Sequence, residues 1–307
     1  MPPSLEHDLL VDRRRLKRGL LGWRVAAVLL GAAALFLAVG QKIGPGALGG
    51  RHLARLTVEG TITDDRKLTD AIDKAARDPR VAGMILSIDS PGGTVSGGEG
   101  LHAALAAFRG RKKPIVAVMR GTAASAAYMI AMPAQRIFAR DSTVTGSIGV
   151  ILQSFDASTL LDRLGVKAEA LTSGPLKGQP SPFKPLDEAG RAALQAVVRD
   201  LHGQFVSMVA AGRGLPRAFV EQVADGRVYT GRQALELQLI DAIGGEAEAR
   251  DWLAQTQDIP ASLPATELKP EDSPGRFLGL SLHALAKSLL SEWVAVDGFK
   301  ALWQLSR

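Results

Sequence analysis

The 307-residue chain is 46% hydrophobic and 22% charged, which is enough apolar material for one large core or two small ones. It has no cysteine, so disulfides, thiolate metal sites and a cysteine nucleophile are excluded, while an oxidising compartment stays open. The net charge of +6 is concentrated at the start, and with 5% aromatic residues and no basic run interleaved with aromatics the chain does not read as binding nucleic acid.

Residues 1–24 form a basic leader, with Arg13-Arg14-Arg15-Leu16-Lys17-Arg18 at its centre. Residues 25–40 follow without a charge and read as a transmembrane anchor. Sixteen residues at about 1.5 Å each span roughly 24 Å, slightly short of a bilayer core of about 30 Å. Leu20, Leu21 and Trp23 extend the apolar stretch, and Arg24 can snorkel towards headgroups beside Trp23. The positive-inside rule then leaves the N-terminus in the cytoplasm and exports everything after Gln41. A cleaved signal peptide is the rival reading, because Ala38-Val39-Gly40 offers small residues at the end of the stretch.

Residues 41–50 form a Gly-rich linker, and from there strand and helix signals alternate. Strands are expected at 52–62, 81–88, 114–119, 136–139, about 148–153 and 166–171. Helices are expected at 68–76, 98–108, from Ser125 onward, and at 157–164, 186–211, 216–224 and 231–237. This order predicts an α/β core with substantial parallel pairing across a domain at 51–257. Four prolines make 258–274 read as a linker, and 275–307 as an amphipathic helical tail with Leu278, Leu282, Leu285, Leu289 and Trp293 on one face.

Three places carry candidate chemistry. Ser125 opens an apolar helix within Gly121-Thr122-Ala123-Ala124-Ser125-Ala126-Ala127-Tyr128. The plain alternative is a small residue serving close helix packing. Asp89-Ser90-Pro91-Gly92-Gly93-Thr94 closes a buried strand, and its glycines permit close backbone approach, so Gly92, Gly93 and the N–H of Ala126 are candidate oxyanion donors. By itself the same turn would only be a tight reversal. Lys177 lies in the nearly uncharged loop Ser173-Gly174-Pro175-Leu176-Lys177-Gly178. A lysine serves as general base where burial disfavours its ammonium form, although a lone loop lysine is ordinarily solvated surface. None of the five histidines has a neighbouring signature, which leaves a Ser-His-Asp triad unsupported though not excluded by spacing. There is no Walker loop and no HExxH, and no cofactor or metal is expected.

Taken together, Ser90-Pro91-Gly92-Gly93, Ala124-Ser125, Thr145-Gly146-Ser147-Ile148-Gly149-Val150, Lys177 and Gly226-Arg227-Val228-Tyr229-Thr230-Gly231-Arg232-Gln233-Ala234-Leu235 resemble the short bacterial form of signal peptide peptidase A, the S49 serine peptidases. The resemblance covers about residues 53–245 in order. It implies a Clp/crotonase-like fold of repeated ββα units behind the N-terminal transmembrane helix. Ser125 would be the nucleophile, Lys177 the general base, Ser147 the residue that orients the lysine, and Gly93, Gly92 and Ala126 the oxyanion hole. It further implies a homo-oligomeric ring in which serine and lysine come from neighbouring subunits. The substrates would be hydrophobic peptides, including signal peptides left after export, and the location a bacterial inner membrane with the catalytic domain on the periplasmic side. Family members often have glycines after the nucleophile where this chain has Ala126 and Ala127, so a narrower pocket is expected. Two other readings stand beside it: a non-catalytic membrane scaffold of the same fold, and a crotonase-type acyl-CoA enzyme.

Overall fold

A computed structural model of the chain describes Trp23, residues 27–31 and residues 50–269. Residues 27–31 are helical and exposed. The rest of the expected anchor lies outside the described residues, as does the expected tail at 275–307. Among the described residues no helix is long and apolar enough to cross a membrane.

Long parallel strands dominate the body. β1 (His52–Ile62), β2 (Val81–Gly93) and β3 (Ile115–Ala124) lie side by side. β4 (Arg136–Ala139) pairs with the first half of β3, and β5 (Val144–Gly146) with its second half, both in parallel. β6 (Val228–Thr230) closes that side antiparallel to β5, β7 (Ala242–Ile243) extends β4, and β8 (Ala265–Glu267) pairs with β1 on the opposite edge. The strand order is thus β6-β5-β3-β2-β1-β8, with β4 and β7 branching from β3.

Period-two alternation sends side chains to two separate cores. Ala54, Leu56 and Val58, with Met84, Leu86 and Ile88 and with Ile115, Ala117 and Met119, face the larger one. Leu53, Ile85, Val116, Val118 and Phe138 face the smaller one. Burial on both faces explains why these strands read as nearly continuous apolar runs. At about 1.5–3 kcal/mol for each fully buried aliphatic side chain, they are the main stabilising term.

Helices α1 (Arg66–Arg77) and α2 (Val95–Gly110) cover the larger core through Ile72, Leu101, Leu105 and Phe108. Each begins at a side-chain cap: Asp65 accepts from Leu68 N–H at 3.2 Å, and Thr94 Oγ1 accepts from Gly97 N–H at 3.1 Å. The chain then forms α3 (Ala126–Met129), α4 (Ser158–Arg163), α5 (Glu188–Arg213), α6 (Arg217–Val223), α7 (Gly231–Glu236) and α8 (Glu246–Gln257). The last of these lays Ala249 and Leu253 on the smaller core.

Three expectations are corrected. The strands expected at 148–153 and 166–171 do not form, and Ile151 and Leu171 are 77% and 94% exposed. Composition there favours strands, but a strand also needs a neighbour to bond, and this segment runs outside the sheet. The linker expected at 258–274 contains β8: Leu53 N–H donates to Pro264 O at 2.9 Å and Leu268 N–H to Arg55 O at 2.7 Å. Pro264 flanks the strand and contributes only its carbonyl, so it does not break the ladder. The compact body accordingly continues past residue 257 to Leu268. Both β7 and α8 lie where no element was expected.

Candidate active site

The parallel strands β2, β3 and β5 end on the same edge of the sheet, where loops can converge. Ser125 sits there between the last residue of β3 and the first of α3, at φ 56° and ψ −123°. For a serine this is a sparsely populated conformation costing about 1–3 kcal/mol. Backbone bonds hold it. Ser125 N–H donates to Gly146 O at 2.9 Å, and Ser125 O accepts from Tyr128 N–H at 2.9 Å and Met129 N–H at 3.0 Å. The half-buried hydroxyl is thereby raised on a sharp strand-to-helix turn, the arrangement that exposes a nucleophile at a sheet edge.

Gly92 presses against this turn. A β-carbon on Gly92 would meet Ala124 O and Ser125 Cβ at 2.9 Å each and Ala126 N at 3.2 Å, and its φ of 110° is open to glycine. Ala126 is the first residue of α3, so its N–H has no partner within the helix. Gly93 lies flat on β1, where a β-carbon would overlap Ile62 O at 1.9 Å. The N–H groups on either side of Gly93 are taken: Gly92 N–H donates to Ser90 Oγ at 3.1 Å, and Thr94 N–H to Ile62 O at 2.9 Å. Successive N–H groups of an extended strand point to opposite sides, which turns that of Gly93 towards β3.

Ala126 does not narrow the opening. Its methyl group is buried against α2, 3.0 Å from where a β-carbon on Gly98 would stand, and Ala127 is fully buried. The alanines after Ser125 thus serve helix packing, and Gly98 is the small residue that receives them.

Ser147 leaves β5 one residue after the Ala124–Gly146 pair, beside Ser125, with φ 51°. Its N–H donates to Arg227 O at 2.8 Å. The segment 226–235 backs this corner: β6 pairs with β5, and the Tyr229 ring lies 2.6 Å from a β-carbon position on Gly146. Tyr229 OH donates to Val223 O at 3.0 Å, and burial raises its pKa. Thr145, fully buried, donates to Ala123 O at 2.7 Å and ties β5 to β3 just before Ser125. Neither the Thr145 bond nor the hydroxyl of Ser90 carries a sequence signal beyond its presence in a motif.

Lys177 lies in the loop that follows residue 171. It is exposed on a turn whose N–H donates to Gly174 O at 3.1 Å, and it lines a cavity of about 160 Å³ with Glu169, Thr172, Ser181 and Phe183 of its own segment. Among the described residues no hydrogen bond of its side chain joins it to Ser125 or Ser147. Gly92, Ser125 and Ala126 meet at this turn with Ser147 beside them in register and Gly93 next to Gly92 in the chain. None of the described histidines reaches Ser125: His52 contacts Gly50 O, His202 contacts Ala224 O, and His102 lies in α2 with its pKa lowered by burial. Among the described residues no group of three His, Asp or Glu side chains is placed to hold a metal ion.

Comparison with known proteins gives the same direction. Residues 107–260 match the family model described as peptidase family S49. A Synechocystis sp. protein provisionally named a protease is 40% identical over 66% of this chain and 74% of its own length. An Enterococcus faecium protein provisionally named signal peptide peptidase SppA is 33% identical over 68% of this chain and 64% of its own. The chloroplastic serine protease SPPA of Arabidopsis thaliana is 30% identical over 80% of this chain, which spans 38% of that longer protein. On the family match and these relatives, the chain belongs to peptidase family S49.

Proposed function

We propose that this protein is a serine endopeptidase, anchored in a bacterial inner membrane by residues 25–40, that degrades hydrophobic peptides with a Ser125–Lys177 dyad. The observation that carries the reading is the Ser125 turn with Gly92 packed on it. A strained serine at the end of a buried parallel strand, closed on by a glycine turn, has little structural use and a clear chemical one.

In the reaction, Ser125 Oγ attacks the scissile carbonyl carbon as neutral Lys177 takes its proton. The tetrahedral oxygen is held by the N–H groups of Gly93 and Ala126, while that of Gly92 is occupied by Ser90. Collapse breaks the C–N bond, and the lysine returns the proton to the departing amine. Water then attacks the acyl-serine with the lysine again as base, and Ser147 orients the ammonium.

In this reading the lysine, exposed on its own loop and with no hydrogen bond to Ser125 in the same chain, comes from a neighbouring subunit. The segment that carries it supports this. Phe155, Leu160, Leu164 and Leu171 are 60% or more exposed, and α4 buries none of its residues. A second copy is the natural cover for so large an apolar surface. Remnant signal peptides fit as substrates, since an anchored peptidase stands beside them. The test is cleavage of a fluorogenic hydrophobic peptide by the detergent-solubilised protein. Loss of turnover in Ser125→Ala and in Lys177→Ala, both assembled, supports the dyad. Turnover surviving in Ser125→Ala contradicts it, and a wild type without turnover returns the fold to a scaffold role.

A further inference from the structure

We propose that Ser90 is a positioning residue for the oxyanion site, acting through the Pro91-Gly92-Gly93 turn; the inference rests on Ser125 being the nucleophile. Between β1 and β2 the register runs Glu59 to Asp89 and then Thr61 to Gly92, so Ser90 and Pro91 together oppose the single residue Gly60. This is a bulge, and a bulge re-aims the chain beside a site at the cost of ladder bonds. Pro91 has no N–H to lose there. The buried Gly92 N–H would be left without a partner there, and Ser90, at 0% exposure, supplies one.

Its hydroxyl donates to Gly60 O at 2.6 Å and accepts from Gly92 N–H at 3.1 Å. One side chain therefore spans the bulge from β1 to the turn. On the other side Ser90 is paired with Ala123 of β3, two residues before Ser125. The hydroxyl has two consequences for the reaction. It fixes Gly92 so close to the Ser125 turn that a β-carbon there would crowd Ala124 O and Ser125 Cβ. It also removes Gly92 N–H from use, so that the donor opposite Ala126 is Gly93 and only Gly93. Asp89, next in the chain, adds a second tie by accepting from Thr122 N–H at 3.0 Å, but on the β3 side alone.

Ser90→Ala deletes both bonds without adding bulk. The expected result in the peptide assay is a fall in kcat of roughly 10- to 100-fold, short of the 10²–10³ that losing an oxyanion donor itself costs, with KM little changed. The affinity of a peptide aldehyde, whose adduct with Ser125 places an oxyanion in the same position, falls in parallel. Affinity for the uncleaved peptide, measured in the Ser125→Ala background, stays the same. Ser90→Cys, which keeps the volume and a weak donor, recovers part of kcat and serves the same comparison if Ser90→Ala does not fold. A folded Ser90 variant with unchanged kcat, or one whose kcat falls while aldehyde affinity does not, overturns the proposal. Wild-type turnover that vanishes in Ser125→Ala establishes the nucleophile separately, so a null result at Ser90 then counts against this inference alone.

Discussion

Gly92 is the residue at which conformation and chemistry are most tightly joined. Alanine there meets backbone at 2.9 Å on a φ of 110°, and the atoms it meets belong to Ala124 and Ser125. Gly92→Ala is expected to lower kcat at least about 100-fold through displacement of the nucleophile turn, checked by steady-state kinetics on protein shown to be folded. Tyr128, three residues past Ser125, anchors the same turn from below. Its ring is fully buried and its hydroxyl donates to Leu239 O at 2.7 Å, with its pKa raised by that burial. Tyr128→Phe leaves that carbonyl unpaired and is expected to cost about 1–3 kcal/mol, read as a lower denaturant midpoint with unchanged slope. The candidate nucleophile and the glycine turn were legible in sequence, because a hydroxyl in an alanine run and glycines after an apolar strand both break a pattern. The tie made by Ser90 was not, since a turn serine has many local partners and only the bulge opposite Gly60 singles one out.

At the scale of elements, α2 shows how packing creates a pH dependence. His102 on this helix lies at an apolar groove with Met132 and Met208, and burial lowers its pKa below the ordinary 6.5 despite the nearby Glu99. Arg109 also faces this groove and adds no negative charge to offset that effect. The unfolded chain therefore binds the proton more readily than the fold does, and stability contributed by neutral His102 is present above about pH 6.5 and lost as pH falls below it. His102→Gln should flatten this part of the stability profile, measured as the unfolding midpoint between about pH 7 and pH 5. The central strands were readable because burial on both faces makes their apolar runs continuous. The 147–187 segment misled for the same reason: Ile151, Val166 and Leu171 have strand composition, yet no strand lies beside them to bond. Two further elements, β7 and α8, carried too little periodic signal, with two strand residues in one and a largely polar twelve-residue helix in the other.

For the whole molecule, the 147–187 segment leaves several large apolar side chains exposed among the described residues. Phe155 and Leu171 are 74% and 94% exposed, while the body beneath Ser125 is closely packed. If a second copy covers this surface, as proposed, Phe155→Glu with Leu171→Glu dissociates it in light-scattering measurements and removes peptidase activity, with the body still folded. Sequence could name Lys177 as a candidate but not what it faces, because its segment carries no pairing or periodic signal that ties it to another element.

The most direct measurement is complementation between inactive variants. Ser125→Ala and Lys177→Ala, each without turnover alone, are dissociated, mixed and reassembled, then assayed on the fluorogenic peptide. If serine and lysine come from different subunits, the mixture regains a measurable fraction of wild-type activity, because some interfaces pair an intact Ser125 with an intact Lys177. A mixed assembly, verified to contain both variants, that remains inactive contradicts the shared site.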